Sequence, residues 1–121
     1  MILEIRTYRL RPGTAFSFHI AMTQRGVPLL EAAGIDAVYC GPSAETEDGV
    51  PHYVLMRAFA SVEERARVER DFYASDAWRL GPQREILAAI DSYHTVVLED
   101  AARLIDAARA LPRPQIFPDS A

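Results

Sequence analysis

The strongest constraint on the fold comes from two strand-like segments that carry apolar side chains on both faces. Because side chains alternate along a strand, every second residue shares a face. In residues 2–10, one face holds Leu3, Ile5 and Thr7, and the other holds Glu4, Arg6 and Tyr8. In residues 52–59, one face holds Tyr53, Leu55, Arg57 and Phe59, and the other holds His52, Val54, Met56 and Ala58. Both sides of the predicted sheet therefore need cover from water.

The other patterns predict the order strand, helix, strand, strand, helices, strand. Strands are predicted at residues 2–10, 35–41, 52–59 and 93–98, and helices at 15–33, 62–73, a short stretch after Ser75, 83–90 and 101–111. This order is that of the ferredoxin-like split β-α-β fold in the α+β class, with a four-stranded antiparallel sheet and helices on one face. The face without helices predicts a symmetric homodimer in which two sheets pack together.

Local signals refine this prediction. Pro28 lacks a backbone donor and clashes one turn back, so the first helix should kink or break near Arg25. Ser61 and Glu64 have the spacing of a capping box, which starts a charged helix. We expect residues 1–99 to form the main domain and residues 100–121 to add a C-terminal helix and a loose, proline-rich tail.

Composition argues against several classes of partner. The chain has 121 residues and a net charge of −4, whereas nucleic acids and anionic membranes attract basic surfaces. No apolar run approaches the roughly 20 residues that span a bilayer. The only cysteine, Cys40, cannot form an internal disulfide, and the charged N-terminal residues do not resemble a signal peptide. We therefore expect a cytoplasmic protein that binds neither nucleic acid nor membrane.

Four stretches in a fixed order carry a family resemblance. They are LEIRTYRLRPGT at residues 3–14, GVPLL at 26–30, AFASVEER at 58–65, and the pattern Ser75-Asp76-x-Trp78. Together they resemble NIPSNAP-family proteins over about residues 1–99. The resemblance implies a dimeric α+β barrel, in which two ferredoxin-like protomers pair through their sheets. That superfamily includes cofactor-free monooxygenases, heme-degrading enzymes, lactone isomerases and polyketide cyclases, and NIPSNAP members themselves are mostly of unassigned biochemistry.

The chain departs from the family pattern at three positions. Many family members carry a histidine and a tryptophan two apart on the third strand, where this chain has Leu55 and Arg57. The fourth strand often holds an asparagine where this chain has His94. Chemistry that depends on those family residues would be different here or absent.

Glu4, Arg6 and Tyr8 form the first candidate site, on a face that would line the barrel interior of the expected dimer. In the functional interpretation, Arg6 holds a carboxylate, enolate or phenolate, and Tyr8 donates a proton or hydrogen bond. The alternative is a structural ion pair across the dimer seam that includes Arg57.

Four further side chains are candidates. His94 could be a general base because its charge changes near neutrality, or a structural histidine, and either face of its strand suits it. Phe72, Tyr73 and Trp78 could close the mouth of a cavity and stack on a flat ligand, or could hold a broken helix on the sheet.

Neither a metal site nor a cofactor is predicted, because the three histidines lack ligand spacing and there is no dinucleotide fingerprint. Two functions stay open. One is a small cofactor-independent oxygenase, isomerase or cyclase acting on an acidic C–H or phenolic substrate. Its catalytic residues would be Arg6, Tyr8 and His94, and its substrate-binding residues would be Glu4, Arg57, Phe72, Tyr73 and Trp78. The other is a non-catalytic ligand-binding or stress-associated dimeric module.

Overall fold

The computed structural model describes residues 1–46 and 48–112, so most of the predicted loose tail lies outside the described residues. The elements in chain order are β1 (Ile2–Leu10), α1 (Ala15–Ala21), a π-helical turn (Met22–Gly26), α2 (Val27–Ala32), β2 (Asp36–Pro42), β3 (His52–Phe59), α3 (Val62–Ala74), α4 (Asp76–Arg79), α5 (Gln83–Ala89), β4 (Ile90–Leu98) and α6 (Ala102–Arg109). This order confirms the predicted α+β, ferredoxin-like architecture. Within the described ranges, no helix combines the length and apolarity needed to cross a membrane.

The four strands form one antiparallel sheet in the order β2-β3-β1-β4. Directly opposed residues of antiparallel strands share a face. On one face of the sheet, the opposed pairs across β1 and β3 are Glu4–Arg57, Arg6–Leu55 and Tyr8–Tyr53. On the same face, β4 places Thr95 opposite Arg6 and Tyr93 opposite Tyr8. The two central strands thus bring the candidate residues Glu4, Arg6 and Tyr8 to one side.

The two faces of the sheet are covered differently. The face that carries Arg6 and Tyr8 lies under α1–α5 and forms the larger core. On the other face, α6 packs against one end of the sheet, where Ile105 and Ala108 contact a cluster that includes Leu3, Val38 and Ala58. A single helix thus lies on the face that was expected to have none, and it leaves the rest of that face uncovered. The domain boundary at residue 99 stays a prediction.

Local sequence signals explain where the helices begin. The Oγ of Ser61 accepts a hydrogen bond from the Glu64 N–H at 3.1 Å, and the Glu64 carboxylate accepts one from the Ala60 N–H at 2.8 Å. The Oγ of Ser75 accepts one from the Trp78 N–H at 3.3 Å and starts α4. These contacts satisfy backbone donors that a helix start leaves unpaired.

The predicted interruption near Arg25 is confirmed as the π-helical turn Met22–Gly26. Pro28 follows it in the first turn of α2 and has no N–H with which to continue the helical hydrogen bonds of the π-helical turn. A π-helical turn contains one residue more than an α-helical turn would need, and such turns are frequent at functional sites.

Candidate active site

A cavity of about 730 Å³ lies between the sheet and the helices of the chain. Its volume falls in the range of roughly 300–1,000 Å³ that is typical of small-molecule sites. The lining residues are Arg6, Tyr8, Met22, Gly26, Leu30, Leu55, Arg57, Glu69, Phe72, Tyr73, Trp78, Gln83, Ile86, Leu87, Ile90, Asp91, Ser92 and Tyr93. Leu87 and Tyr93 are 50% and 62% exposed and lie at the mouth, whereas Leu55 and Arg57 are buried at the floor.

This position corrects one expectation. Glu4, Arg6 and Tyr8 were expected to line the space between two paired sheets. They face the helices of their own protomer instead, because α1–α5 cover this side of the sheet. Alternation predicts which side chains share a face, but it does not predict which layer covers that face.

The π-helical turn forms part of the cavity wall. Met22 and Gly26 lie at its two ends and both line the cavity. A Cβ atom at Gly26 would stand 3.2 Å from the Met22 sulfur and 3.5 Å from Ile86 Cδ1. A larger residue at position 26 would therefore press on the apolar wall.

Arg57 is the centre of a buried ion network at the polar end of the cavity. Its guanidinium is fully buried and contacts Glu4 Oε1 at 2.6 Å and Glu69 Oε1 at 2.7 Å. It also donates to the Tyr73 hydroxyl at 2.8 Å. The other Glu4 oxygen accepts a hydrogen bond from Arg65 Nε at 2.7 Å. The predicted ion pair between Glu4 and Arg57 is therefore present, but it lies within one protomer and not across a dimer seam.

Arg6 extends this network toward the cavity. Its Nη2 lies 3.8 Å from Glu4 Oε2, and its side chain keeps 13% exposure. It donates through Nε to Thr95 Oγ1 and through Nη1 to the Tyr73 hydroxyl, each at 3.2 Å. Its guanidinium carbon stands 4.9 Å from the centre of the Tyr93 ring, within cation–π distance. Arg6 is thus a positioned cation at the cavity surface.

The two carboxyl groups of the network have opposite pKa shifts. Burial raises the pKa of Glu4, but the hydrogen bond with Glu69 and the charges of Arg57 and Arg6 outweigh it and hold the pKa at about 2. Burial and the hydrogen bond with Glu4 raise the pKa of Glu69 to about 7, despite the opposing charge of Arg57. Glu4 therefore stays ionised at neutral pH, and Glu69 is the group that gains or loses a proton near neutrality.

Tyr8 lies in the cavity wall and packs against Phe18, with ring centres 5.5 Å apart. Burial raises its pKa to about 12, and the neighbouring Tyr73 adds to this shift. Tyr8 can still donate a hydrogen bond at neutral pH, but it does not lose its proton readily.

The structure does not bring His94 into the cavity. It stands opposite Thr7 on the other face of the sheet and is exposed, because β4 turns Tyr93 and Thr95 toward Arg6. His94 therefore does not line the same cavity as Arg6, and a catalytic role for it stays a prediction.

The aromatic residues at the end of α3 and in α4 fit both of the interpretations given for them. The rings of Phe72, Tyr73 and Trp78 contact one another with centres 5.1–5.5 Å apart, and Phe72 and Trp78 are buried in the core. All three also line the cavity. They hold α3 and α4 together and form an aromatic wall at the same time.

Two residues of the site, Glu69 and Tyr93, were not predicted from the sequence. Glu69 lies four residues after Arg65 and four before Tyr73, and this spacing puts the three side chains on one helical face. The spacing was readable, but nothing in it indicated that this face meets Glu4 and Arg57. Tyr93 was missed because both faces of β4 looked equally apolar. In residues 1–46 and 48–112, no three His, Cys, Asp or Glu side chains are grouped as metal ligands would be.

Comparisons with known proteins agree on the fold. The NIPSNAP family model matches residues 3–102. A NIPSNAP domain protein from Burkholderia xenovorans is 22% identical with a TM-score of 0.73, over 84% of this chain and 96% of that one. A NIPSNAP-family protein of unknown function from Agrobacterium tumefaciens is 23% identical with a TM-score of 0.69, over 81% and 86% of the two chains.

A more distant likeness extends to another group of proteins. A candidate antibiotic biosynthesis monooxygenase from Nitrosomonas europaea is 16% identical with a TM-score of 0.56, over 81% of this chain and 96% of that one. At this identity the likeness is one of fold. None of the curated proteins matches the chain significantly.

Proposed function

The chain belongs to the NIPSNAP family, and we propose that it is a homodimer that binds a small, partly aromatic or apolar anion in the cavity of each protomer. The observation that carries the proposal is Arg6, a guanidinium fixed by Thr95 and Tyr73 at the surface of a mainly apolar cavity. Such cavities bind ligands through a large apolar wall and a few placed polar groups.

The charges at the polar end support an anionic ligand. Three guanidiniums, those of Arg6, Arg57 and Arg65, surround two carboxylates, those of Glu4 and Glu69. One positive charge is left over when both carboxylates are ionised. Because a buried charge is costly unless it is paired, an anion beside Arg6 would complete the network.

The apolar walls support a flat or hydrocarbon ligand body. Trp78, Phe72, Met22, Ile86 and Tyr93 line the space around Arg6. A ligand with a ring and one acidic group would contact both the wall and the guanidinium.

The homodimer is proposed to form through the sheet face that α6 leaves uncovered. Met56 on β3, Ile5 on β1 and Val96 on β4 lie side by side on this face. Val96 is 43% exposed. Because the centre of the face is uncharged and apolar, a second copy can cover it without like-charge repulsion. A cytoplasmic location stays the expectation, since the chain's single cysteine, Cys40, cannot form an internal disulfide.

Reactions that begin with loss of a proton fit this site best. Arg6 would stabilise the oxyanion that forms when a phenol or an acidic C–H group is deprotonated. Isomerisation, cyclisation or oxygenation by dioxygen could follow from that anion without a bound cofactor. The alternative is a non-catalytic ligand-binding module, and it is favoured by one observation: among the described residues, no histidine lines the cavity.

Binding of 4-fluorobenzoate, measured by fluorine NMR, tests the proposal. We expect saturable binding to the wild-type protein and at least about tenfold weaker binding to Arg6→Gln, since each tenfold change corresponds to about 1.4 kcal/mol. Arg79→Gln is the matched control, because Arg79 is exposed and outside the cavity. Equal affinity of wild type and Arg6→Gln would show that Arg6 does not anchor the ligand.

A further inference from the structure

We propose that Arg6 and Tyr73 form an oxyanion site for a ligand that arrives as a neutral weak acid, a phenol or an enolisable ketone, and that Glu69 takes up the proton that this ligand loses. The inference rests on the proposed function, because it requires that the cavity bind a ligand. It goes further by assigning a hydrogen-bond donor, Tyr73, and a proton acceptor, Glu69, to that site.

The proposed oxyanion site rests on the geometry of Tyr73. Its hydroxyl oxygen accepts hydrogen bonds from Arg57 Nη1 at 2.8 Å and from Arg6 Nη1 at 3.2 Å. A phenol oxygen has one hydrogen of its own to donate. In the described part of the chain, both hydrogen bonds at this oxygen are donated to it, and Tyr73 lines the cavity. Its own hydrogen is therefore available to a ligand oxygen beside Arg6.

Two cations and one hydroxyl form a site that suits a single localised negative charge. Donors fixed before the ligand arrives need no reorganisation when charge develops on an oxygen atom. Arg57 is fully buried and held by Glu4 and Glu69, so it cannot turn away from Tyr73 without breaking ion pairs. Arg57 is in this sense a positioning residue, whereas Arg6 and Tyr73 would touch the ligand.

Glu69 stands next to this site. It lies one helical turn before Tyr73 on α3, lines the same cavity, and shares Arg57 with the Tyr73 hydroxyl. The charged groups that face it are Glu4 from β1, Arg57 from β3, and Arg65 from its own helix. Burial and Glu4 raise the pKa of Glu69, which favours uptake of a proton near neutrality.

Charge balance connects the oxyanion site with proton uptake by Glu69. The empty site holds three guanidiniums and two carboxylates. When a neutral ligand transfers its proton to Glu69, one carboxylate becomes neutral and one ligand anion appears, so the total charge of the site does not change. The O–H or C–H bond of the ligand breaks, an O–H bond forms on Glu69, and no electron is transferred to another molecule.

The test uses two fluorinated probes of similar size. 4-Fluorobenzoate is already an anion, whereas 4-fluorophenol, with a pKa near the value of about 10 for a tyrosine side chain, is neutral in moderately alkaline buffer. Fluorine NMR distinguishes the phenol from its phenolate, and calorimetry in buffers of different ionisation enthalpy counts the protons released. The pH is set between the pKa of Glu69, about 7, and that of the phenol.

We expect wild-type protein to bind 4-fluorophenol as phenolate without releasing a proton to the buffer. Tyr73→Phe should lower the ionised fraction of the bound phenol at least about tenfold, the effect of removing a donor worth about 1.4 kcal/mol. Glu69→Gln should release one proton for each phenolate bound. Tyr39→Phe is the matched control for loss of a hydroxyl, because Tyr39 lies outside the cavity.

Bound phenol that stays neutral in wild type, or a full proton released by wild type, would overturn the inference. The proposed function would survive that result if 4-fluorobenzoate still binds through Arg6. If neither probe binds, the proposed function fails and the inference fails with it. Should Glu69→Gln fail to fold, the proton count of the wild-type protein decides the question alone.

Discussion

The two faces of one sheet differ in what they bury and how. The face under α1–α5 carries Glu4 and Arg57 without any solvent exposure, and each charge is paired several times. The face beside α6 carries Ile5, Met56 and Val96 and leaves Val96 exposed. The buried charges of the sheet are thus confined to the side where the same chain completes their hydrogen bonds. The apolar side is the one proposed to pair with a second copy of the chain.

The contrast between the two faces indicates which of them can hold a functional site. A buried ion network is costly to assemble, and it is retained when its charges position something. Here it holds Arg6 and Tyr73 at a cavity wall. The apolar face contains no such arrangement among the described residues, which fits a role in assembly.

The largest expected effect is on the buried network. Arg57→Leu leaves Glu4 and Glu69 buried without their central partner, so the free energy of unfolding should fall by about 3–5 kcal/mol. Urea unfolding followed by circular dichroism measures the change.

Arg9→Leu is the control for this variant. Arg9 also lies on the sheet and contacts Asp91 at 3.3 Å, but its side chain is 40% exposed. An exposed pair of this kind contributes about 0–1 kcal/mol. Equal losses in the two variants would mean that the network contributes no more than a surface ion pair.

The next effect is a pH dependence that Glu69 imposes on stability. Its pKa rises from 4.5 to about 7 on folding, so the folded state binds more protons than the unfolded state between these values. The free energy of unfolding should therefore fall as pH rises through this window, by up to about 3 kcal/mol. Glu4 acts in the opposite direction and at lower pH, because its pKa falls to about 2 and its contribution is lost only below 4.5.

Glu69→Gln should flatten the stability profile between pH 4.5 and 7. Glu63→Gln, which changes an exposed carboxylate of the same helix, should leave the wild-type slope in place. An unchanged slope in Glu69→Gln would mean that the carboxyl titrates alike in the folded and unfolded chains.

The smallest expected effect concerns the apolar face. Val96→Lys places a charge twice in a two-fold symmetric interface and should weaken dimerisation by about 2 kcal/mol, or roughly thirtyfold in Kd. Sedimentation velocity across a dilution series measures the change. Val62→Lys is the matched control, because Val62 is 46% exposed but lies on α3. If the wild-type protein is a monomer, or if both lysine variants weaken the dimer equally, the apolar face is not the dimer interface.

The fold was readable from the sequence because its strands alternate locally. The placement of Glu4, Arg6 and Tyr8 on one face, together with Arg57, needed only the two-residue period and antiparallel pairing. The identity of the covering layer was not readable, since helices and a second sheet can cover an apolar face equally well. The sequence did not determine which face of the sheet His94 occupies, because both faces of β4 carry apolar residues.

The cavity itself could be predicted only in part. Phe72, Tyr73 and Trp78 marked its aromatic wall because aromatic residues cluster there along the chain. Glu69 could not be identified, because its role depends on contacts with Glu4 and Arg57, which lie 65 and 12 positions away in the chain. Long-range partners of this kind have no local signature.

The π-helical turn also fixes the length of the chain at this point. Each residue added to or removed from a helix rotates the segment before it by about 100° relative to the segment after it. Deleting one residue from Met22–Gly26 would restore ordinary helical geometry, but it would turn Phe18 and its neighbours in α1 away from the core or carry Val27 and Leu30 of α2 out of it. The segment therefore tolerates substitutions better than deletions. A relative that lacks this one residue would have to rebuild both the helix packing and the cavity wall.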